Sequence, residues 1–127
     1  MPSSPSPKAT SLRSFPAEVK RMPFVDLDEV GVREMAPGWQ VRFVHSATMT
    51  FAHWTIEPGA VLPKHAHPHE QVATVIEGEF ELTIDGETQV IRPGIVGIIP
   101  PNAMHTGKAL TACRILDVFY PIREDYR

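Results

Sequence analysis

Glycine and proline interrupt this chain at short, regular intervals from Phe24 onward, and this punctuation restricts the fold more than any other feature. The intervening runs are rich in Val, Ile, Phe and Thr, and none shows a helical period beyond one turn. Short β-prone runs separated by turn residues are typical of an all-β sandwich or barrel. The clearest turn dipeptides are Pro37-Gly38, Pro58-Gly59, Asp85-Gly86, Pro93-Gly94 and Pro100-Pro101.

The spacing of these turn residues predicts ten strands and one well-defined hairpin. In the hairpin, two alternating runs flank Asp85-Gly86, and this dipeptide favours a two-residue turn with positive φ. Phe80, Leu82 and Ile84 share one face of its first strand, which we expect to face the core. The predicted strands lie near residues 24–27, 32–35, 39–45, 48–57, 71–77, 79–84, 87–92, 96–99, 103–108 and 112–120.

The chain divides into a tail and one domain. Its 127 residues suffice for a single domain with its own core. Residues 1–23 contain five of the 13 prolines and are rich in serine, so they cannot form a long helix or a central strand. We therefore predict a tail or arm over 1–23 and a single barrel domain over 24–127.

Charge and composition exclude several classes of protein. Residues 1–23 carry a net charge of +3, so the rest of the chain carries −6, which is unsuited to nucleic acid. No run approaches the roughly 18 apolar residues of a membrane helix, and residues 1–10 lack the apolar stretch of a secretory signal. A single cysteine, Cys113, excludes an intrachain disulfide and fits a reducing compartment, so we expect a cytoplasmic protein.

Three of the six histidines, His65, His67 and His69, fall within five residues. In an extended strand His65 and His67 would point to the same side, as two ligands of one metal must. Imidazole suits Zn, Cu, Fe and Ni. Gln71 and His105 are possible further donors, and the alternative is a set of ordinary surface histidines. For His69 we expect a position at the rim of a pocket, and for His45 and His53 no functional role.

A second group of candidates lies near the end of the chain. In the predicted strand 112–120, Asp117 shares a face with Cys113, Ile115 and Phe119. A carboxylate on an apolar face is unfavourable unless it is paired or functional, and burial would raise its pKa toward a value useful for proton transfer. Arg123 could hold a substrate carboxylate with its two-pronged guanidinium. The alternatives are a structural ion pair for the acid and a surface position for the arginine.

Two motifs resemble those of the cupin superfamily. The stretch Gly59-x5-His65-x-His67-x3-Gln71-x6-Gly78 is similar to the first cupin motif, except that the family has glutamate at the position of Gln71. Gly94-x5-Pro100-x4-His105 is similar to the second motif, with Asn102 and Ala109 replacing its glycine and its asparagine. Asn tolerates positive φ, so the first replacement is acceptable. The resemblance implies a jelly-roll barrel with a divalent transition metal (Zn, Ni, Fe, Mn or Cu) bound by His65, His67, Gln71 and His105.

The same chain also resembles the small pectin-degradation cupins. The run 65–71 (His-Ala-His-Pro-His-Glu-Gln) and the closing Asp117-x-Phe119-x-Pro121-x-Arg123 carry this resemblance. It implies a metal set that includes a glutamine, and Asp117, Phe119 and Arg123 as catalytic residues. It also implies conversion of cyclic 4,5-unsaturated uronates into linear keto acids, and a homodimer.

Replacement of a ligand carboxylate by Gln71 has an electrostatic consequence. Three imidazoles and one carboxamide leave the +2 charge of an ion uncompensated, which favours an anionic substrate and a strong Lewis acid. A metal-dependent lyase or isomerase acting on a small anionic sugar is the leading hypothesis. A metal-dependent dioxygenase and a non-catalytic ligand-binding cupin are the alternatives.

Overall fold

The computed structural model describes residues 23–127, and within them the chain is almost entirely β-structure. The predicted tail, apart from Pro23, lies outside the described residues. Short 3₁₀-helices at Leu27–Glu29 and Glu124–Tyr126 flank the strands. The strands are β1 Arg33–Ala36, β2 Trp39–His45, β3 Thr50–Ile56, β4 Val61–His65, β5 Glu70–Glu77, β6 Phe80–Ile84, β7 Glu87–Ile91, β8 Val96–Ile99, β9 His105–Ala109 and β10 Cys113–Tyr120.

The ten strands form two antiparallel sheets. One has six strands in the order β1-β2-β3-β10-β5-β8, and the other has four in the order β4-β9-β6-β7. Apolar side chains from both sheets form one buried cluster, in which Trp39 of the larger sheet meets Phe80 of the smaller one edge to face, at 5.9 Å between ring centroids. This architecture confirms the predicted all-β cupin barrel.

Strand β10 is central to the larger sheet and pairs with both β3 and β5. Its burial alternates along its length, and the inward face carries Cys113, Ile115, Asp117 and Phe119, as the sequence predicted. In the register with β5, Phe119 is the partner of Gln71, and in the register with β3 it is the partner of Thr50. Strand β10 therefore places Asp117 and Phe119 beside Gln71 inside the barrel.

One predicted strand is absent, and one strand was not predicted. Residues 24–27 form no strand, because Asp26 instead caps the 3₁₀-helix by accepting a hydrogen bond from the backbone N–H of Asp28. Conversely, Val61–His65 is a strand that was not predicted. It contains Pro63 and lies at the edge of the smaller sheet, the position in a sheet where a missing N–H is tolerated.

The predicted hairpin is confirmed, since β6 and β7 pair in register from Phe80 with Ile91 to Ile84 with Glu87. At its turn Asp85 has a φ of 48° and Gly86 a φ of 85°. Asn102, where the cupin motif has glycine, also has a positive φ of 67°. Gly78, the last glycine of the first motif, has a φ of 93°, and a Cβ there would collide with the carbonyl oxygen of Ala112. Within residues 23–127, no helix has the length and apolar character needed to cross a membrane.

Candidate metal centre and adjoining cavity

Three histidines meet inside the barrel. His65, His67 and His105 each offer a ring nitrogen, and these nitrogens lie within 4.8 Å of one another. His65 ends β4 and is the cross-strand partner of His105 in β9, with 4.1 Å between ring centroids. His67 follows in the loop after β4 and lies 4.9 Å from the His105 ring. The predicted convergence of the three is present, although His67 lies beyond the strand that carries His65.

Backbone carbonyls fix the tautomer of all three rings. Nδ1 of His65 lies 2.9 Å from the carbonyl oxygen of Pro63, and Nδ1 of His105 lies 3.0 Å from that of Ala103. Nδ1 of His67 is likewise 3.0 Å from the carbonyl oxygen of His69. A carbonyl only accepts, so each Nδ1 carries a proton, and Nε2 is the ring nitrogen that can bind a metal. This arrangement, in which one ring nitrogen is hydrogen-bonded and the other is free, is usual for histidines that bind metals.

The lone pairs of the candidate ligands face one another. Nε2 of His105 is buried and has no hydrogen-bond partner among the described residues. Burial lowers the pKa of His105 to about 4 and also lowers that of His67, so both rings are neutral donors at pH 7. Oε1 of Gln71 lies 3.0 Å from Nε2 of His67, and with Nδ1 protonated this places two acceptors in contact. A cation between the acceptors would satisfy all of them, so these four residues fit a divalent metal.

The carboxamide of Gln71 lies between Asp117 and the histidine cluster. It is close enough to Asp117 to oppose the rise in the pKa of this acid. The carbonyl oxygen of the same amide lies 3.0 Å from Nε2 of His67. Gln71 thus connects the buried acid with the three-histidine cluster.

Asp117 is a buried acid with an unsatisfied oxygen. Its exposed fraction is 8%, and burial raises its pKa to about 7. This rise in the pKa is opposed by three nearby groups: the carboxamide of Gln71, the indole of Trp54 and the charge of Arg123. Neither Gln71 nor Trp54 forms a well-directed hydrogen bond with Oδ1, which is left without a partner among the described residues. An acid with a pKa near neutrality is suited to accept and donate protons at pH 7.

Arg123 is buried, not on the surface, and it is tightly held. Its Nε and Nη2 donate to the two carboxylate oxygens of Asp125 at 3.0 and 2.7 Å. Its guanidinium carbon lies 4.0 Å from the ring centroid of Tyr126 and 4.8 Å from that of Phe119. The Phe119 ring also meets the His67 ring edge to face at 5.6 Å. Phe119 therefore lies between the histidine cluster and the arginine.

Gln71, Asp117, Phe119 and Arg123 line one cavity of about 220 Å³, and His65 joins this cavity to the rest of the histidine cluster. Its walls combine aromatic rings with the polar groups described above, and this mixture is usual for small-molecule sites. A 220 Å³ space accommodates a ligand the size of one sugar ring. The lining includes Trp39, Trp54, Phe119, Tyr126, His65, Gln71, Asp117 and Arg123.

The cavity also contains residues that the sequence did not single out. Trp39, Trp54 and Tyr126 lie outside both motifs, and only the spacing of Tyr126 behind Arg123 could have suggested its position. His69 lies outside the three-histidine cluster, and its position at the rim of a pocket stays a prediction. His45 has a partner, the Thr50 hydroxyl at 2.9 Å from Nδ1. Partial burial lowers the pKa of His53, which is not in the cluster.

Comparison with known proteins agrees with the geometry. Residues 52–119 match the family described as "Cupin domain". The chain is 31% identical over 108 residues to the pectin degradation protein KdgF of Dickeya dadantii, a match that covers 81% of this chain and 96% of that protein.

Two solved structures share the fold along nearly their whole length. A KdgF structure from a Halomonas species superimposes with a TM-score of 0.77 at 29% identity, covering 82% of this chain and 97% of that one. An RmlC-like cupin from Shewanella frigidimarina superimposes with a TM-score of 0.79 at 27% identity, covering 84% and 97%. The chain is a member of the cupin family and resembles the pectin-degradation protein KdgF.

Proposed function

We propose that this protein is a metal-dependent enzyme that opens and ketonises a 4,5-unsaturated uronate, a small anionic sugar. One observation carries the proposal: a cluster of three imidazoles joins, through His65, a cavity that is also lined by a buried acid and a buried arginine. Such a cavity can bind a metal, move a proton and hold a carboxylate. The likeness to pectin degradation proteins supports this substrate class.

In this proposal His65, His67, Gln71 and His105 hold a divalent metal, and at least one position remains open to the substrate. When bound, such an ion acts as a Lewis acid that polarises oxygens of the sugar. The four ligands carry no charge of their own, so the ion keeps its full +2. A substrate carboxylate is attracted to such a site more strongly than to one with a ligand carboxylate.

The reaction is an isomerisation, and Asp117 is the group placed to move its protons. The 1-hydroxyl loses a proton and the C1–O5 bond breaks, which gives an aldehyde at C1 and an enol at C5. The enol then becomes a ketone as C4 gains a proton and the C5 hydroxyl loses one. No electrons are gained or lost and no co-reactant is needed. Asp117 lines the cavity, its Oδ1 has no hydrogen-bond partner among the described residues, and its pKa near 7 suits both directions of transfer.

Arg123 and Phe119 complete the site by orienting the sugar. Arg123 lines the cavity, and its Nη1 is not used in the ion pair with Asp125. A guanidinium that is already ordered loses little further entropy when it binds a carboxylate. Phe119 supports the guanidinium on one side and meets His67 on the other. Arg123 forms the carboxylate subsite, and the histidine cluster forms the metal subsite. The Phe119 ring therefore fixes the spacing between these two subsites.

The test is to mix the metal-loaded protein with an unsaturated uronate and to follow the ultraviolet absorbance of its double bond and the concentration of oxygen. We expect the absorbance to disappear without oxygen uptake. Asp117→Asn should slow this turnover by about 10²–10⁴ with unchanged metal content, while Asp28→Asn, which changes an exposed acid, serves as the matched control.

Other outcomes would redirect the proposal. Consumption of oxygen would favour the dioxygenase hypothesis, and stable binding without turnover would favour a ligand-binding cupin. If Asp117→Asn is as fast as the parent, the proton-transfer role of Asp117 is wrong even if the reaction stands. The homodimer, the cytoplasmic location and the identity of the metal stay predictions from the resemblance and the composition.

A further inference from the structure

The backbone of Arg123 is attached to the barrel by one fully buried hydroxyl. The N–H of Arg123 donates to Oγ1 of Thr50 at 2.8 Å, across 73 residues of sequence. Thr50 begins β3 and has an exposed fraction of 0%. Hydroxyl groups buried this completely are retained only where their hydrogen bonds are made.

The hydroxyl of Thr50 is itself oriented by a histidine. Since Oγ1 accepts from Arg123, its own proton is free to point toward Nδ1 of His45, 2.9 Å away. Thr50 is the cross-strand partner of His45 on one side and of Phe119 on the other. The three side chains therefore lie in one row across the larger sheet, and Arg123 is attached at its centre.

This attachment determines where the guanidinium can lie. Arg123 precedes the 3₁₀-helix Glu124–Tyr126, and both Asp125 and Tyr126, which contact its side chain, follow within that helix. A shift of the Arg123 backbone would therefore move the guanidinium and two of its supports together. It would also move them relative to Phe119, which belongs to a different element, β10.

We infer that Thr50 is a positioning residue for the carboxylate subsite: it fixes Arg123 relative to Phe119 and thereby sets the distance between that subsite and the metal centre. This inference rests on the proposed function in assigning the substrate carboxylate to Arg123. It adds a residue 73 positions earlier in the sequence that neither lines the cavity nor belongs to the histidine cluster.

The test compares Thr50→Val, which removes the hydroxyl and keeps the shape, with Thr50→Ser, which keeps the hydroxyl. Thr55→Val is the matched control, because Thr55 lies on the same strand with an exposed side chain. The first measurement needs no activity: the ¹⁵N-resolved signal of the Arg123 Nε–H, assigned by its absence in Arg123→Lys. We expect this signal to shift and to exchange faster with water in Thr50→Val only.

The second measurement is turnover of the unsaturated uronate. We expect KM to rise about tenfold in Thr50→Val, with kcat and metal content changed less than KM, and we expect Thr50→Ser and Thr55→Val to match the parent. If Thr50→Val does not fold, as judged by circular dichroism, His45→Leu removes the acceptor of the hydroxyl proton and should shift the Nε–H signal in the same direction.

The outcomes are distinguishable. An unchanged Nε–H signal in folded Thr50→Val overturns the inference, whatever the enzyme does. A changed signal with an unchanged KM also overturns it, because Arg123 would then move without consequence for the substrate. If the parent protein turns over no uronate but the signal changes as expected, the proposed function fails while the attachment of Arg123 by Thr50 stands.

Discussion

Replacement of Gly78 by alanine should destabilise the barrel more than any other single-methyl addition at a positive-φ turn. A Cβ at Gly78 would collide with the carbonyl oxygen of Ala112 and would lie 3.0 Å from both Cα and Sγ of Cys113. Two of these three atoms belong to backbone, so they cannot move aside as the end of a side chain would. The appropriate control is Gly86→Ala, since Gly86 has a similar φ of 85° but nothing within 4 Å of an added Cβ.

The two variants separate backbone strain from steric overlap. The left-handed conformation costs an alanine about 1–2 kcal/mol, and the reduced freedom of the unfolded chain returns about 0.4–1 kcal/mol. Gly86→Ala should therefore lose about 1 kcal/mol of unfolding free energy. Gly78→Ala adds overpacking of about 1–3 kcal/mol, for a total of about 2–4 kcal/mol.

The assay is urea unfolding followed by circular dichroism, in the presence of a chelator so that bound metal does not contribute to stability. With a slope of about 1–3 kcal/mol per molar urea, Gly78→Ala should unfold about 1 M earlier than Gly86→Ala. Equal midpoints for the two variants would show that the close approach between Gly78 and β10 does not contribute, and the steric argument would be wrong.

Three further predictions concern the site and the thiol. His105→Ala should abolish stoichiometric metal binding, measured by elemental analysis, while the circular dichroism spectrum stays that of a barrel; full occupancy in this variant would remove His105 from the ligand set. Gln71→Glu should keep the metal but weaken the binding of a simple carboxylate in calorimetry, because it adds a negative charge beside Asp117, and tighter binding would contradict the electrostatic reasoning. Burial raises the pKa of Cys113, whose thiol donates to the backbone carbonyl of Glu79, so iodoacetamide at pH 8 should modify the folded protein far more slowly than the urea-unfolded one; comparable rates would mean that the thiol is accessible.

Sequence reasoning identified most of the strands because β-strands with one buried face leave a strong pattern. The alternation in β6 and β10 shows directly which side chains face inward, and Asp117 stands out because it interrupts an apolar face. The strand β4 has no such alternation, since Pro63 and Lys64 lie within it, and its edge position removes the constraint on its N–H groups. The strand predicted over residues 24–27 is absent for a different reason. Phe24 and Val25 are β-prone residue types, but both side chains are exposed instead of packing in the core.

The metal centre could be predicted in part because its ligands are close in sequence or lie within recognisable motifs. The surroundings of Arg123 could not be predicted, because they depend on contacts between segments that are distant in the sequence. Thr50 is 73 residues from Arg123, and no local pattern indicates that its hydroxyl accepts a hydrogen bond from the Arg123 N–H. Tyr126 supports the guanidinium only because a short helix turns the chain back toward the barrel. Such tertiary contacts carry no periodic signal in one sequence.

The cavity wall has a consequence for how this protein can be studied. The chain contains two tryptophans, and both of them, Trp39 and Trp54, line the cavity at 5.4 Å from each other. All of the intrinsic tryptophan fluorescence of the protein therefore originates beside the proposed reaction space. A paramagnetic ion such as Cu(II) or Ni(II) entering the site should quench this emission, and a sugar acid should shift its maximum. The protein thus carries its own optical probe for titrations of metal and substrate, with no label to attach.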